Sequence, residues 1–219
     1  YEILSGLVGS EMCIRDRLMK LYFAPRSRAV RIAWLLEELG LEYELEHFKV
    51  GDKILRSAEY KKIHPMGRIP VLEDGKVSIY ESGAILQYIV SKFYNGRLSL
   101  THKDHEFPEY LQWIHYAEGS IMQQVNTLVV ETILLPPEKK NEVNVARALK
   151  LIKIALSNVN SRLSDREYLA GKFSGADIMT GHACYGARNA GADISEFMHI
   201  QDYLERLLSR PAFKKAISL

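Results

Sequence analysis

Cysteine is nearly missing from this chain. Its 219 residues hold two, Cys13 and Cys184, with no CxxC pair and no metal-type spacing. That excludes a disulfide framework and a dithiol redox motif, and a reducing, cytoplasmic setting is the expectation. Neither sign of charge is in excess, with 29 basic residues against 27 acidic ones, so nothing points to nucleic acid or an anionic membrane surface. No apolar run reaches the 18 or so residues of a transmembrane helix. The seven histidines are scattered, with no HExxH among them, and no metal site is expected. Strand signals, finally, stop before residue 100 or so.

What is present divides the chain. Residues 1–18 carry no pattern that suits the rest; VGSEMCIRDR looks like translated adapter sequence, and Met19 is a sensible initiator. They are treated as a non-native leader, and Cys13 goes with them. Residues 19–94 alternate strand and helix patterns. Lys20–Phe23 reads as a strand, and Ser27 as the cap of a helix from Arg28 to Leu39 that Gly40 stops. Leu41–Phe48 alternates as a second strand. A short helix is expected around Ser57–Ile63. Residues 95–103 form a linker opened by Asn95-Gly96. Residues 104–219 read as helices throughout: a long one from Asp104 to Leu135, then one whose Val145, Leu149, Ile152, Leu156, Val159 and Leu163 step by four and three. A third starts at Ser174 with Asp177 as its capping partner, and a fourth spans Gln201 to Arg210 before a terminal helix at Pro211. The fold class is an α/β thioredoxin-like N-terminal domain followed by an all-α helical bundle.

The chemistry concentrates between His64 and Ser82, HPMGRIPVLEDGKVSIYES. Pro70 cannot donate to a sheet ladder and suits the first position of a strand. Asp74-Gly75 is a two-residue hairpin signal, and Val77–Tyr80 returns as the partner strand. Glu81-Ser82 then opens a helix in which Ile85, Tyr88, Ile89 and Phe93 recur at helical spacing, with Ser82 as the expected N-cap. A cis Ile69-Pro70 bond would expose backbone to an extended ligand, and a helix start with a serine suits a carboxylate. The same residues also fit a trans turn proline and an ordinary cap.

In this order and spacing, Ile69-Pro70-Val71-Leu72, a hairpin and Glu81-Ser82-Gly83-Ala84-Ile85 resemble the glutathione-site half of the cytosolic glutathione transferase family. SRAVRIAWLLEELGLEYE, WIHYAEGS and YLAGKFSGADI extend the likeness over nearly all of 19–213. It is nearest to the yeast and bacterial branch whose first helix opens with Ser-Arg. The resemblance implies a homodimer that conjugates the thiolate of glutathione, its co-substrate, to small hydrophobic electrophiles, with glutathione-dependent peroxide reduction as a further activity. The alternative is a binding or regulatory protein that keeps the fold without turnover. The resemblance further implies that Ile69 pairs with the cysteinyl backbone of glutathione beside a cis Pro70, and that Glu81 and Ser82 hold its γ-glutamyl end. Where a proline pair is expected after AEGS, this chain has Gln123-Gln124, which should let the long helix run straighter.

Conjugation needs a thiolate, and a free thiol with a pKa of about 8.5 is mostly protonated at neutral pH. Ser27, at a helix start between Arg26 and Arg28, is the candidate to stabilise it; Tyr22, at the end of the first strand, is the alternative. Each has an ordinary reading too, Ser27 as a plain cap and Tyr22 as a packed strand aromatic. Lys53, Arg56, His64 and Arg68 precede the Pro70 strand as candidates, one or two of them, for the glycyl carboxylate, against the commoner fate of such residues, surface solvation. Tyr116 and Met122 are candidates for an electrophile pocket, or else core. Val129, Ile133 and Leu134 are candidates for the dimer contact.

Overall fold

The computed structural model describes residues 18–49, 51–93 and 98–219. The leader expectation, Leu18 apart, and the Asn95-Gly96 turn lie outside the described residues.

The first domain begins with β1 (Met19–Phe23), α1 (Ala29–Leu39) and β2 (Tyr43–His47). It continues through 3-10 turns at Lys53–Arg56 and Tyr60–Lys62 to β3 (Val71–Asp74), β4 (Val77–Tyr80) and α2 (Ser82–Lys92). The sheet order is β2-β1-β3-β4, with β1 parallel to β2 and antiparallel to β3. Val71 lies opposite both Tyr22 and Tyr80. The chain before Val71, after Phe23 and after Tyr80 is thereby gathered at one end of the sheet, which brings Ile69-Pro70, the Ala24–Ser27 turn and Glu81-Ser82 into one neighbourhood.

β1 serves two layers because its side chains alternate. Met19, Leu21 and Phe23 join the main core with α1 and α2, while Tyr22 joins a smaller cluster with Leu55, Tyr60 and Val71 on the other face. The region around Ser57–Ile63 makes only a 3-10 turn rather than a helix. A segment that short cannot repay helix nucleation, and Tyr60, buried against Tyr22 and Phe48, pins it instead.

The second domain is helical: α3 (Phe107–Tyr116), α4 (Gln123–Val129), α5 (Glu142–Arg162), α6 (Gly175–Asn189), α7 (Met198–Ser209) and α8 (Pro211–Ser218). The expected long helix from Asp104 to Leu135 is broken in its regularity. It starts at Phe107 with Pro108 in its first turn, and π turns at Ala117–Met122 and Val130–Leu134 flank α4. Gln123-Gln124 lie in ordinary helix between them. In α5 the buried seam runs through Ala148, Ile152, Ala155, Leu156 and Val159. Leu149, expected in it, is exposed, and Ala148, one turn before Ile152, is buried in its place.

Ser174 caps α6 with the full reciprocal box. Its Oγ accepts the Ala176 N–H at 3.3 Å, and the Asp177 carboxylate accepts the Ser174 N–H at 2.9 Å. Asp177 is fully buried and also accepts from the Leu169 N–H and the Tyr203 hydroxyl. The domains meet along α1, where Trp34 stacks on Phe213 of α8 at 4.1 Å between ring centroids. Such a pair adds about 1 kcal/mol beyond burial.

Candidate functional site

The turn after β1 is held by Ser27. Its hydroxyl donates to the Ala24 carbonyl at 2.7 Å and accepts the Ala29 N–H at 3.1 Å. Ser27 is expected as the cap of α1, but the N-cap is Arg28 and the first helical residue Ala29. Ser27 lies one residue earlier, in the turn, and holds the Ala29 N–H from there. The hydroxyl has one proton, and it points at Ala24. Stabilising a sulfur anion requires that proton to turn outward, and the Ala29 N–H bond can hold the oxygen in place meanwhile. Arg28 is not a free cation beside it: its Nε donates to Glu118 Oε2 at 2.7 Å and its Nη1 to Asn126 Oδ1 at 3.2 Å. Arg26 is exposed and sits at φ 60°.

Tyr22 is placed differently. It is buried, its ring lies among Phe48 and Tyr60, and its hydroxyl donates to Glu73 Oε1 at 3.1 Å. Burial and the Glu73 carboxylate both push its pKa up. Its hydroxyl is thus committed to a neighbouring strand, and it is a poorer proton source than an ordinary tyrosine.

The Ile69-Pro70 bond is cis, and Pro70 is buried immediately before β3. Glu81, not Ser82, is the N-cap of α2, with φ 71° and ψ 112°. That backbone region is unusual for a residue with a Cβ. Ser82 is the first helical residue, buried, and no side chain caps the turn. The Ser82 hydroxyl instead accepts from Arg31 Nη1 at 3.3 Å. His64 is buried, its Nδ1 accepting the Met66 N–H at 3.2 Å and its ring 4.5 Å from that of Tyr80. Burial holds its pKa below the usual value, against the pull of the Glu81 carboxylate, so a neutral ring is its state at pH 7. That makes His64 a poor partner for a carboxylate compared with the exposed Lys53, Arg56 and Arg68.

Tyr116 and Met122 belong to the core of the second domain. The Tyr116 hydroxyl donates to the Ala155 carbonyl at 3.2 Å, and Met122 is buried with its sulfur near Gly186. The side chains of this helical stretch that reach toward Ser27 are Glu118 and Asn126, both bonded to Arg28. Cys184 is fully buried, and burial pushes its thiol up to about 12, too high for a nucleophile.

Three residues of the neighbourhood went unmarked in the sequence: Arg31, Glu118 and His182. Arg31 is fully buried. It donates through Nη1 to Glu118 Oε1 at 2.5 Å, and through Nε and Nη2 to His182 Nδ1 at 3.4 and 3.1 Å. A guanidinium can only donate, so His182 Nδ1 accepts and its ring proton is on Nε2. Burial, and then the arginines, hold the His182 pKa well below normal and keep it neutral. Burial alone would raise the Glu118 carboxyl; Arg31 and Arg28 outweigh it and hold the pKa below the usual range. The signal was there for Arg31, a charge four residues before Leu35 on the apolar side of α1.

Comparison with known proteins identifies the family. Residues 18–91 match the family model described as glutathione S-transferase, N-terminal domain, and residues 123–211 the glutathione S-transferase, C-terminal domain. The chain belongs to the glutathione transferase family. Glutathione S-transferase 1 of Saccharomyces cerevisiae is 31% identical over 184 residues, 74% of this chain and 77% of its own. Glutathione S-transferase 3 of Schizosaccharomyces pombe is 27% identical, covering 91% of this chain and 86% of its own. Among solved structures, the glutathione transferase URE2P6 of Phanerochaete chrysosporium, in complex with oxidized glutathione, superposes with a TM-score of 0.83 at 28% identity. That match covers 93% of this chain and 96% of the fungal one. Among the described residues, no helix is long and apolar enough to cross a membrane.

Proposed function

We propose that this family member is an active transferase that joins the glutathione thiolate to small hydrophobic electrophiles, in the cytoplasm and as a homodimer. The observation that carries this reading is the start of α2. Glu81 is held at φ 71° and ψ 112° with its side chain exposed, and the first turn behind it has no side-chain cap. A strained, exposed backbone next to open helix N–H groups is arranged to receive a carboxylate, and the γ-glutamyl end of glutathione supplies one. Ile69, beside Pro70, is at the same end of the sheet and would pair with the cysteinyl backbone. Ser27 would then face the sulfur, and Lys53 the glycyl carboxylate.

Exposed Ile133 and Leu134, at the end of the long helical stretch, would form part of the dimer contact; Val129, half-buried against the core, contributes less. Sedimentation at micromolar concentration should give one species of twice the 25.0 kDa chain mass.

The test of function is an assay of purified protein with glutathione against a panel of electrophiles and peroxides. Turnover of an electrophile supports conjugation, and turnover of a peroxide adds the reductive activity. Tight glutathione binding with neither turnover would replace this reading with a binding or regulatory role.

A further inference from the structure

Among fully buried side chains Arg31 is second in size only to Trp34, and it carries a charge. Stability gives no reason for a charge there, because a buried ion pair is usually no better than well-packed apolar residues of similar volume. Its contacts suggest a different reason. On one side Arg31 Nη1 reaches Ser82 Oγ at 3.3 Å, in the first turn of α2. On the other it reaches Glu118 Oε1 at 2.5 Å. The second oxygen of Glu118 takes Arg28 Nε at 2.7 Å, one residue after Ser27. One carboxylate thus lies at the centre of a chain of contacts that runs from the neighbour of Ser27 to Ser82.

We infer that Glu118 is a positioning residue for the glutathione site: with an arginine on each oxygen, it sets the start of α1, with Ser27, against the start of α2, with Ser82. The inference rests on the proposed function, in which Ser27 faces the sulfur and Ser82 the γ-glutamyl end of one extended tripeptide. Two ends of one ligand need a fixed separation, and directional charge-assisted bonds, one on each carboxylate oxygen, hold geometry more narrowly than apolar packing does. Glu118 comes from the helical domain, within the π turn Ala117–Met122. Such turns re-aim side chains and recur at functional sites. The spacing of a site built on the first domain is therefore set by a side chain of the second.

Positioning and simple electrostatics predict opposite signs. Removing the Glu118 charge makes the surroundings more positive, which by charge alone would favour a thiolate and lower the pKa of bound glutathione. Loss of positioning raises that pKa and weakens binding. The experiment uses the full chain with Glu118→Gln, Glu118→Asp and Arg28→Lys, each checked by thermal melting. Calorimetry gives the Kd for glutathione, and the thiolate absorbance of bound glutathione against pH gives the thiol pKa. We expect Glu118→Gln to raise Kd on the order of tenfold and to raise the thiol pKa.

Glu118→Asp keeps the charge but is too short to span both arginines, and it should not restore either value. Arg28→Lys keeps the charge but loses the fork, and it should shift both values in the same direction; it serves alone if Glu118→Gln fails to fold. Leu156→Ala, in the core of the helical domain, should lower the melting temperature and move neither value. An unchanged Kd, or an unchanged or lowered pKa, in Glu118→Gln, or no shift in Arg28→Lys, overturns the positioning role. Failure of the unaltered protein to bind glutathione overturns the proposed function instead.

Discussion

Arg210 forks onto Glu38, its Nε and Nη2 donating to the two carboxylate oxygens at 2.6 and 2.8 Å. The guanidinium also lies 3.6 Å from the centre of the Phe173 ring, and the Trp34 indole N–H donates to Glu38 at 2.9 Å. This clamp sits where α8 closes on α1, beside the Trp34–Phe213 stack.

Arg210→Ala is therefore expected to cost about 2 kcal/mol, as the loss of a two-bond charged contact and a cation–π contact. Arg210→Lys should recover less than half, because a single ammonium cannot bond both oxygens and lie flat on Phe173. Urea denaturation measures both. Full recovery by lysine would mean that only the charge matters.

Glu81 gives a prediction in which stability and binding part ways. At φ 71° and ψ 112° a Cβ is strained, and relief by glycine offsets glycine's greater freedom in the unfolded chain. Glu81→Gly should keep stability within about 1 kcal/mol of the original or raise it, while glutathione affinity falls. Unaltered affinity would remove Glu81 from the site.

Asp177 gives a pH dependence of unusual sign. Burial pushes its carboxyl up from 3.8 to about 6, and the four donors around it pull the other way without prevailing. The folded state thus holds the proton more tightly than the unfolded one. The stability this contributes is complete below the unfolded value and is lost as pH rises through about 6. The stability advantage of the unaltered protein over Asp177→Asn should therefore shrink by up to about 3 kcal/mol between about pH 4 and about pH 7. Paired urea titrations across that range measure it, and a widening gap would contradict the assignment.

Much of the first domain was legible because its signals are local. Pro70, Asp74-Gly75 and the alternating Val77–Tyr80 each force a backbone choice within a few residues. The Ser174–Asp177 box was legible for the same reason, since both partners lie within one turn. What escaped was set by contacts distant in sequence. Arg31 and Glu118 are 87 positions apart, and no periodicity links a charge on an apolar face to its partner in another domain. The π turns escaped for a related reason: AEGSIM has an ordinary helical pattern, and the extra residue per turn shows only in the backbone. The burial of Ala148 rather than Leu149 in the α5 seam also escaped, because positions four and three residues before Ile152 both suit a helical stripe.

Ser27, not Tyr22, is proposed to supply the hydroxyl that stabilises the glutathione thiolate. Ser27 lies just before α1, half-buried, with its oxygen held by the Ala29 N–H while its proton goes to the Ala24 carbonyl. Tyr22 is buried among aromatic rings with its proton given to Glu73. The most direct measurement is a pH titration of the thiolate absorbance of bound glutathione in Ser27→Ala and Tyr22→Phe. Loss of one charge-assisted hydrogen bond should raise the thiol pKa in Ser27→Ala by about one to two units, with Tyr22→Phe close to the unaltered protein. A rise confined to Tyr22→Phe would contradict the account and leave Ser27 with its structural place in the turn before α1 alone.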